Sequence, residues 1–223
     1  MVDDIVFALE DASAGYAGRP VLTGIDLKIR SGERVAIMGC SGAGKSTLLS
    51  LLHAARPDDV ALIPQSAALV KPLSVFHNVY MGQLDRHPTF YNLRNLIWPV
   101  GDEVTAVRRV LHDVGLEDKL FEPAGSLSGG QQQRASVARA LFNGRQVVLG
   151  DEPVSALDRV QGGEVLERLK AQASTLVLVL HDVYLALEHA ERIVMIANGR
   201  KVLDQPSRDL QPADLLAHFG GEP

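Results

Sequence analysis

Unbroken apolar runs and alternating runs divide the chain before any motif is considered. IVFAL (Ile5 to Leu9) reads as a first strand, and IDLKI (Ile25 to Ile29) alternates apolar and polar residues as a half-buried strand does. VAIM (Val35 to Met38) and VALI (Val60 to Ile63) are short apolar runs, the second closed by Pro64-Gln65. VVLG (Val147 to Gly150) and TLVLVL (Thr175 to Leu180) are continuous, as strands covered on both faces of a parallel sheet should be. RIVMIANGRKVL predicts two further strands joined at Asn198-Gly199, a pair suited to a tight hairpin turn. From about Leu69 to Pro123 the strand texture disappears. There Val104, Val107, Val110, Leu111 and Val114 recur at helical spacing, with Gly115 placed as a stop. A second helix is predicted from about Gly130 to Asn143, and the acidic tail after Leu203 reads as a short amphipathic end. The expected organisation is one α/β core, residues 1–68 and 124–223, interrupted by a mostly helical lobe, residues 69–123.

Composition narrows the partners. At 223 residues with 46% hydrophobic and 22% charged residues, the chain can bury a substantial core. A net charge of −5 gives no electrostatic footprint for non-specific nucleic-acid binding, so no nucleic-acid partner is expected. A single cysteine, Cys40, rules out an internal disulfide framework and fits a reducing compartment. No apolar run approaches bilayer length and MVDDIVFALE lacks the marks of a secretory leader, so a soluble, cytoplasmic chain is expected, with any membrane role mediated by a partner.

The candidate chemistry gathers around GCSGAGKST, which comprises Gly39, Cys40, Ser41, Gly42, Ala43, Gly44, Lys45, Ser46 and Thr47. It follows the VAIM run and opens an apolar-rich helical segment, the strand–turn–helix context of a phosphate cradle. The glycines let successive backbone N–H groups converge on anionic oxygens, and the helix start adds partial positive charge. Lys45 reaches the β- and γ-phosphates as a point charge, the Ser46 hydroxyl is a ligand for Mg²⁺, and Thr47 is a further donor. Asp151 and Glu152 end the VVLG run, at the sheet edge where ligands collect. Asp151 suits a second Mg²⁺ anchor and Glu152 a base that positions water; the plain alternative is an acidic pair that caps a helix. His181 ends TLVLVL at the same edge, as a γ-phosphate contact or an ordinary structural histidine. Gln65, just past VALI, has an amide suited to Mg²⁺ or water, or is a surface glutamine before a loop. In SLSGGQQQR, Ser128 is a good N-cap and Gly129 and Gly130 expose the N–H groups of the next helix, making a second anion site. With one cradle already present, that site suggests completion in trans by another subunit.

GCSGAGKST, Gln65, LSGGQ, VVLGDEP, SALD (Ser155 to Asp158) and His181, in this order, resemble the nucleotide-binding ATPase of ABC transporters over nearly the whole chain. The resemblance implies a P-loop NTPase core of α/β class with a mostly parallel sheet, an antiparallel β lobe and an inserted helical lobe. It implies ATP and Mg²⁺ as cofactors and ATP hydrolysis coupled to transport. Tyr16 matches the aromatic that stacks on adenine, and Gln65 the residue that couples Mg²⁺ and water to the membrane partner. Ser128, Gly129, Gly130 and Gln131 match the signature that binds the opposite protomer's γ-phosphate, and Ser155 to Asp158 the loop that crosses the dimer interface. Glu152 matches the general base and His181 the γ-phosphate sensor. Two protomers would close head to tail on two ATP. The implied partners are transmembrane permease subunits and, through them, an extracytoplasmic substrate-binding protein; the implied place is the cytoplasmic face of the membrane.

KPLSVFHNVYMGQLDRHPTFYNLRNLIWP, with Arg86, Pro88 and Thr89 as an Arg-x-Pro-Thr element, is similar to the corresponding stretch of phosphonate-import ATPases. Import of phosphonates or related phosphorus oxyanions is therefore the leading expectation. An ABC ATPase for another substrate or for export, and a soluble ABC-type ATPase, remain the alternatives. Two features depart from the family pattern. Lys45 to Gln65 is short, which implies a reduced β lobe with weaker support under Tyr16, and Gly150 stands where relatives carry a larger residue. Cys40 occupies a variable cradle position, as a plain substitution or as a thiol acidified by the helix start.

Overall fold

The computed structural model describes residues 4–16 and 19–219; of Tyr16 it describes the backbone and not the side chain. The first two strands are longer than the alternation predicts. β1 (Ile5–Tyr16) and β2 (Arg19–Arg30) pair antiparallel as a two-stranded ribbon with several register shifts. A lone ribbon of this kind is marginal in water, and this one is held by its inner face. Leu22, Ile25, Leu27 and Ile29 of β2 are buried with Phe7 against the rest of the chain. Each such side chain contributes about 1.5–3 kcal/mol when removed from water.

β3 (Arg34–Met38) leads through the glycine-rich turn into α1 (Lys45–Ala55), and β4 (Val60–Ile63) follows directly. The shortness noted between Lys45 and Gln65 has a structural counterpart here. No strand separates α1 from β4, and Arg56 closes the connection by donating to Asp59 Oδ2 from Nε at 3.2 Å and from a terminal nitrogen at 3.0 Å. Its other terminal nitrogen reaches Val6 O at 3.4 Å, so the same side chain ties the shortened segment to the ribbon.

Helices alone fill the next stretch among the described residues: α2 (Val75–Tyr80), α3 (Thr89–Ile97) and α4 (Gly101–Asp113). The spacing predicts α4, and Gly115 does adopt a left-handed φ of 65° after it. Then come α5 (Gly129–Asn143), β5 (Val147–Asp151), α6 (Arg159–Gln172), β6 (Thr175–Val179), α7 (Val183–His189), β7 (Arg192–Ala197), β8 (Arg200–Pro206) and α8 (Pro212–Phe219). The six-stranded sheet has the order β4-β5-β6-β3-β7-β8; the first five strands are parallel and β8 is an antiparallel edge. Asn198 and Gly199, at φ 49° and 71°, make the tight turn into β8.

Period-two alternation sorts the sheet's side chains into two cores. Ala36, Met38, Leu176 and Leu178 face α2, α4, α5, α6 and α7, whereas Val35, Ile37, Val177 and Val179 face the ribbon and α1. Because both faces are covered, these strands had to be apolar at every position, which is why they read as unbroken runs.

A candidate active site at the carboxyl edge of the sheet

Parallel pairing brings the ends of four strands to one edge. Val179 of β6 sits opposite Ile37 of β3 on one side and Asp151 of β5 on the other, and Ile63 of β4 pairs with Gly150. The residues that follow these positions therefore meet although they are far apart in sequence. His181 Nε2 lies 2.7 Å from Glu152 Oε1, and Gln65 Nε2 donates to the same oxygen at 3.1 Å. Two of the residues expected to act in catalysis, His181 and Gln65, thus converge on one oxygen of a third, Glu152.

Glu152 has a left-handed φ of 54°. For a residue with a Cβ this costs about 1–3 kcal/mol and persists only where the surroundings impose it. Its carbonyl is gripped from three directions, by Gln133 Nε2 at 2.6 Å, Ser155 Oγ at 3.2 Å and the Ser155 backbone N–H at 3.3 Å. Asp151 beside it keeps Oδ1 buried with no hydrogen-bond partner. A buried carboxylate oxygen left that way is costly unless a cation or its water shell pairs with it.

The fourth residue, Lys45, is buried in the glycine-rich turn and donates to Gly39 O at 2.7 Å and Cys40 O at 2.8 Å. Burial lowers the pKa of its ammonium below the ordinary lysine value, while the negative charges of Glu152 and Asp151 act the other way. Gly39 is a glycine by necessity. Its φ is 143°, and a Cβ there would lie 2.1 Å from the Ile196 carbonyl oxygen of β7. Gly44, also at positive φ, caps α1 without a side-chain hydrogen bond, and Ser41 and Ser46 are exposed. A helix start with no side-chain cap and exposed hydroxyls beside it has donors suited to an anion. Cys40 is half-buried, its Sγ 3.9 Å from the His218 carbonyl of α8.

At the other expected anion site, Ser128 and Gln131 form a complete capping box. The Ser128 hydroxyl accepts from Gln131 N at 3.3 Å, and the Gln131 amide oxygen accepts from Ser128 N at 2.9 Å. The first turn of α5 is therefore capped within the chain itself. Gly129 has open space around it, whereas a Cβ on Gly130 would lie 3.0 Å from Ala156 O, so the Ser155–Asp158 loop packs directly on the helix start. Asp158 caps α6, its side chain accepting from Gln161 N at 2.9 Å. Gly150 also has a reason of its own, since a Cβ there would approach Leu178 Cδ2 to 2.8 Å. The Tyr16 side chain lies outside the described residues.

One contributor to the site escapes a reading of the sequence. Gln133 is buried in α5 yet contacts the Glu152 turn; the signal is a polar residue in register with buried Val137 and Leu141. Arg86 donates to the Asn143 carbonyl and Gln83 to that of Phe142, so the turn before α3 finishes the C-terminus of α5. There their carbonyl partners and the favourable helix-end charge coincide.

With this geometry in view, the comparisons are consistent with one another. The family model described as ABC transporter matches residues 22–155. The phosphonates import ATP-binding protein PhnC of Caulobacter vibrioides is 33% identical, over 100% of this chain and 96% of its own length. The macrolide export ATP-binding/permease protein MacB of Bordetella avium is 40% identical over 92% of this chain but only 34% of its own. Among solved structures, the ATP-binding cassette MJ0796, a dimer in a post-hydrolysis state bound to ADP and Pi, superposes with a TM-score of 0.76 at 26% identity, covering 90% of this chain and 98% of the other.

Proposed function

The chain belongs to the ABC transporter family and is an ATPase, and from that premise we propose that it powers a membrane importer for phosphonates. The observation that carries the substrate class is the end-to-end match to a phosphonates import ATP-binding protein, whereas the macrolide export relative is matched over a third of its length. The similarity of the Arg86, Pro88 and Thr89 stretch to that same group supports the same reading.

We assign the nine residues of the glycine-rich turn to the phosphates of ATP and Tyr16 to its adenine. The donor set fits Mg²⁺: a hydroxyl on Ser46, the orphaned Asp151 Oδ1 and the amide oxygen of Gln65, whose nitrogen is engaged by Glu152. Mg²⁺ favours such sparse oxygen sites completed by water and phosphate. When bound it would neutralise charge on the transferring phosphoryl group. Glu152 takes a proton from the attacking water as its oxygen bonds to the γ-phosphorus and the bond to the β-bridging oxygen breaks, releasing ADP and phosphate. His181 and Gln65 orient that carboxylate, and His181 also lies where the γ-phosphate would be sensed. Two chains close head to tail, so that Ser128, Gly129, Gly130, Gln131 and Asp158 of each complete the other's site.

No helix of the described residues is long and apolar enough to cross a membrane. The import ATP-binding relative supports a reading in which permease subunits carry the transport path. α3 has the surface for them. Phe90, Leu93 and Ile97 form a stripe at helical spacing, followed by Trp98, and they are 82%, 54%, 59% and 74% exposed. A contiguous apolar face of this kind suits a cytoplasmic helix of a membrane protein. The chain would then work at the cytoplasmic face, with an extracytoplasmic binding protein delivering substrate to the permease. Phe90→Ser combined with Ile97→Ser is expected to weaken permease binding at least tenfold in a pull-down titration, because exposed aromatic anchors contribute about 1–4 kcal/mol. ATPase activity of the isolated chain should stay within about twofold.

The substrate class is tested by reconstituting the chain with its cognate permease in liposomes. ATPase rate is followed as the binding protein is offered alkylphosphonates, phosphite, phosphate and unrelated solutes. Stimulation by a phosphonate or phosphite is expected. Stimulation by another solute alone would remove the substrate class, and the absence of any permease-dependent stimulation would remove the importer.

A further inference from the structure

We propose that Gln133 is a positioning residue for hydrolysis: from the second turn of α5 its amide sets the backbone of Glu152 and the entry to the Ser155–Asp158 loop, so the proposed base is aligned only while α5 is seated. The assignment rests on the reading of Glu152 as general base and goes a step beyond it.

Gln133 is 7% exposed, and its buried amide is bonded at both ends. Nε2 donates to Glu152 O at 2.6 Å and to Ser155 Oγ at 3.0 Å, and Oε1 accepts from Ala156 N at 2.7 Å. An amide has two N–H donors and a carbonyl acceptor, so both donors and the acceptor are in use. All three partners lie within one short turn, and that turn begins with the left-handed Glu152. The Gln133 bond thus holds the carbonyl of the one residue in that turn with a strained backbone. One helical turn earlier, Gly130 packs against Ala156 O, so the two surfaces also fit by shape. α5 therefore meets the hydrolytic turn at two points, one steric and one polar.

The consequence is functional as well as structural. The first turn of α5 carries Ser128, Gly129, Gly130 and Gln131, which meet the partner's nucleotide in the proposed dimer. Gln133 links that same helix to the base of its own protomer. A shift of α5 at one ATP is thus transmitted to the geometry of hydrolysis at the other through one side chain.

Gln133→Met keeps length and volume and removes all three bonds. Its kcat is expected to fall at least tenfold while KM and equilibrium ATP affinity stay within about twofold, with rates normalised to titrated nucleotide sites. Gln133→Glu is the diagnostic variant. As a carboxylate it can accept from Ala156 N and Ser155 Oγ but cannot donate to Glu152 O; once protonated it regains a donor. The variant is read as its rate over the wild-type rate at each pH, so that any pH dependence the two enzymes share divides out. The Gln133→Glu to wild-type ratio should rise at least threefold from pH 8 to pH 5.5. A flat ratio, or a wild-type kcat for Gln133→Met, would overturn the proposal, and the ratio decides alone if Gln133→Met does not fold. Glu152→Gln run in parallel separates the two readings. If Glu152→Gln is fully active the general-base reading fails first; if it is inactive while Gln133→Met is normal, only the Gln133 assignment fails.

Discussion

Glu152→Gln should bind ATP as tightly as the wild type and hydrolyse it at least a thousandfold more slowly. The substitution is nearly isosteric, and the new amide oxygen can still accept from Gln65 and His181, which lie 3.1 and 2.7 Å from the native carboxylate oxygen. What disappears is the proposed acceptor for the water's proton, and a positioned general base accounts for about 10²–10⁴ in rate. Because binding is spared and turnover is not, the variant should accumulate with ATP on board. A head-to-tail dimer that forms on ATP would then persist, visible as a shift in sedimentation under saturating Mg-ATP. Single-turnover rates and nucleotide titrations provide the other readouts. A wild-type rate would move the base to another group, His181 being the nearest, and a monomer under saturating Mg-ATP would argue against the paired arrangement.

Lys45→Ala should fail at a different stage. Its ammonium is buried, braced on the carbonyls of Gly39 and Cys40, and set among the charges of Glu152 and Asp151. Alanine removes the cation proposed to face the phosphates and leaves the two carboxylates without its charge nearby. Ground state and transition state lose this contact alike, so affinity falls along with kcat/KM. A loss of about 10²-fold in affinity corresponds to roughly 2.7 kcal/mol, a plausible size for a buried charge-assisted contact. Titration with a fluorescent ATP analogue measures it, and a thermal melt within a few degrees of wild type confirms that the turn still folds. Unchanged affinity would mean that phosphate binds elsewhere.

The contrast between legible and hidden parts of the site has a physical origin. Gln65, Asp151, Glu152 and His181 can be read from sequence because each follows an unbroken apolar strand, and parallel strands end at one edge. β1 and β2 were expected shorter because their outer halves alternate poorly and carry many exposed residues. α6 is masked by Gly162 and Gly163, poor helix formers; a Cβ on Gly162 would lie 3.3 Å from Leu185 Cδ1, whereas nothing in the structure requires a glycine at 163. The apolar stripe of α3 points outward, so its periodicity does not announce a core. The role of Gln133 and the contact made by Arg86 are hidden for a shared reason: each acts on a backbone carbonyl far away in sequence, which no spacing rule records.

The exposure of Trp98 has a practical consequence. It is the only tryptophan in the chain and 74% exposed beside the stripe of α3, so fluorescence excited at the red edge, beyond the absorption of the four tyrosines, reports from a single place. Its emission should move to shorter wavelength as that face leaves water against a membrane subunit, and quenching by iodide should fall at the same time. The protein thus carries its own optical gauge of assembly, readable without a dye and in the same cuvette as the hydrolysis assay.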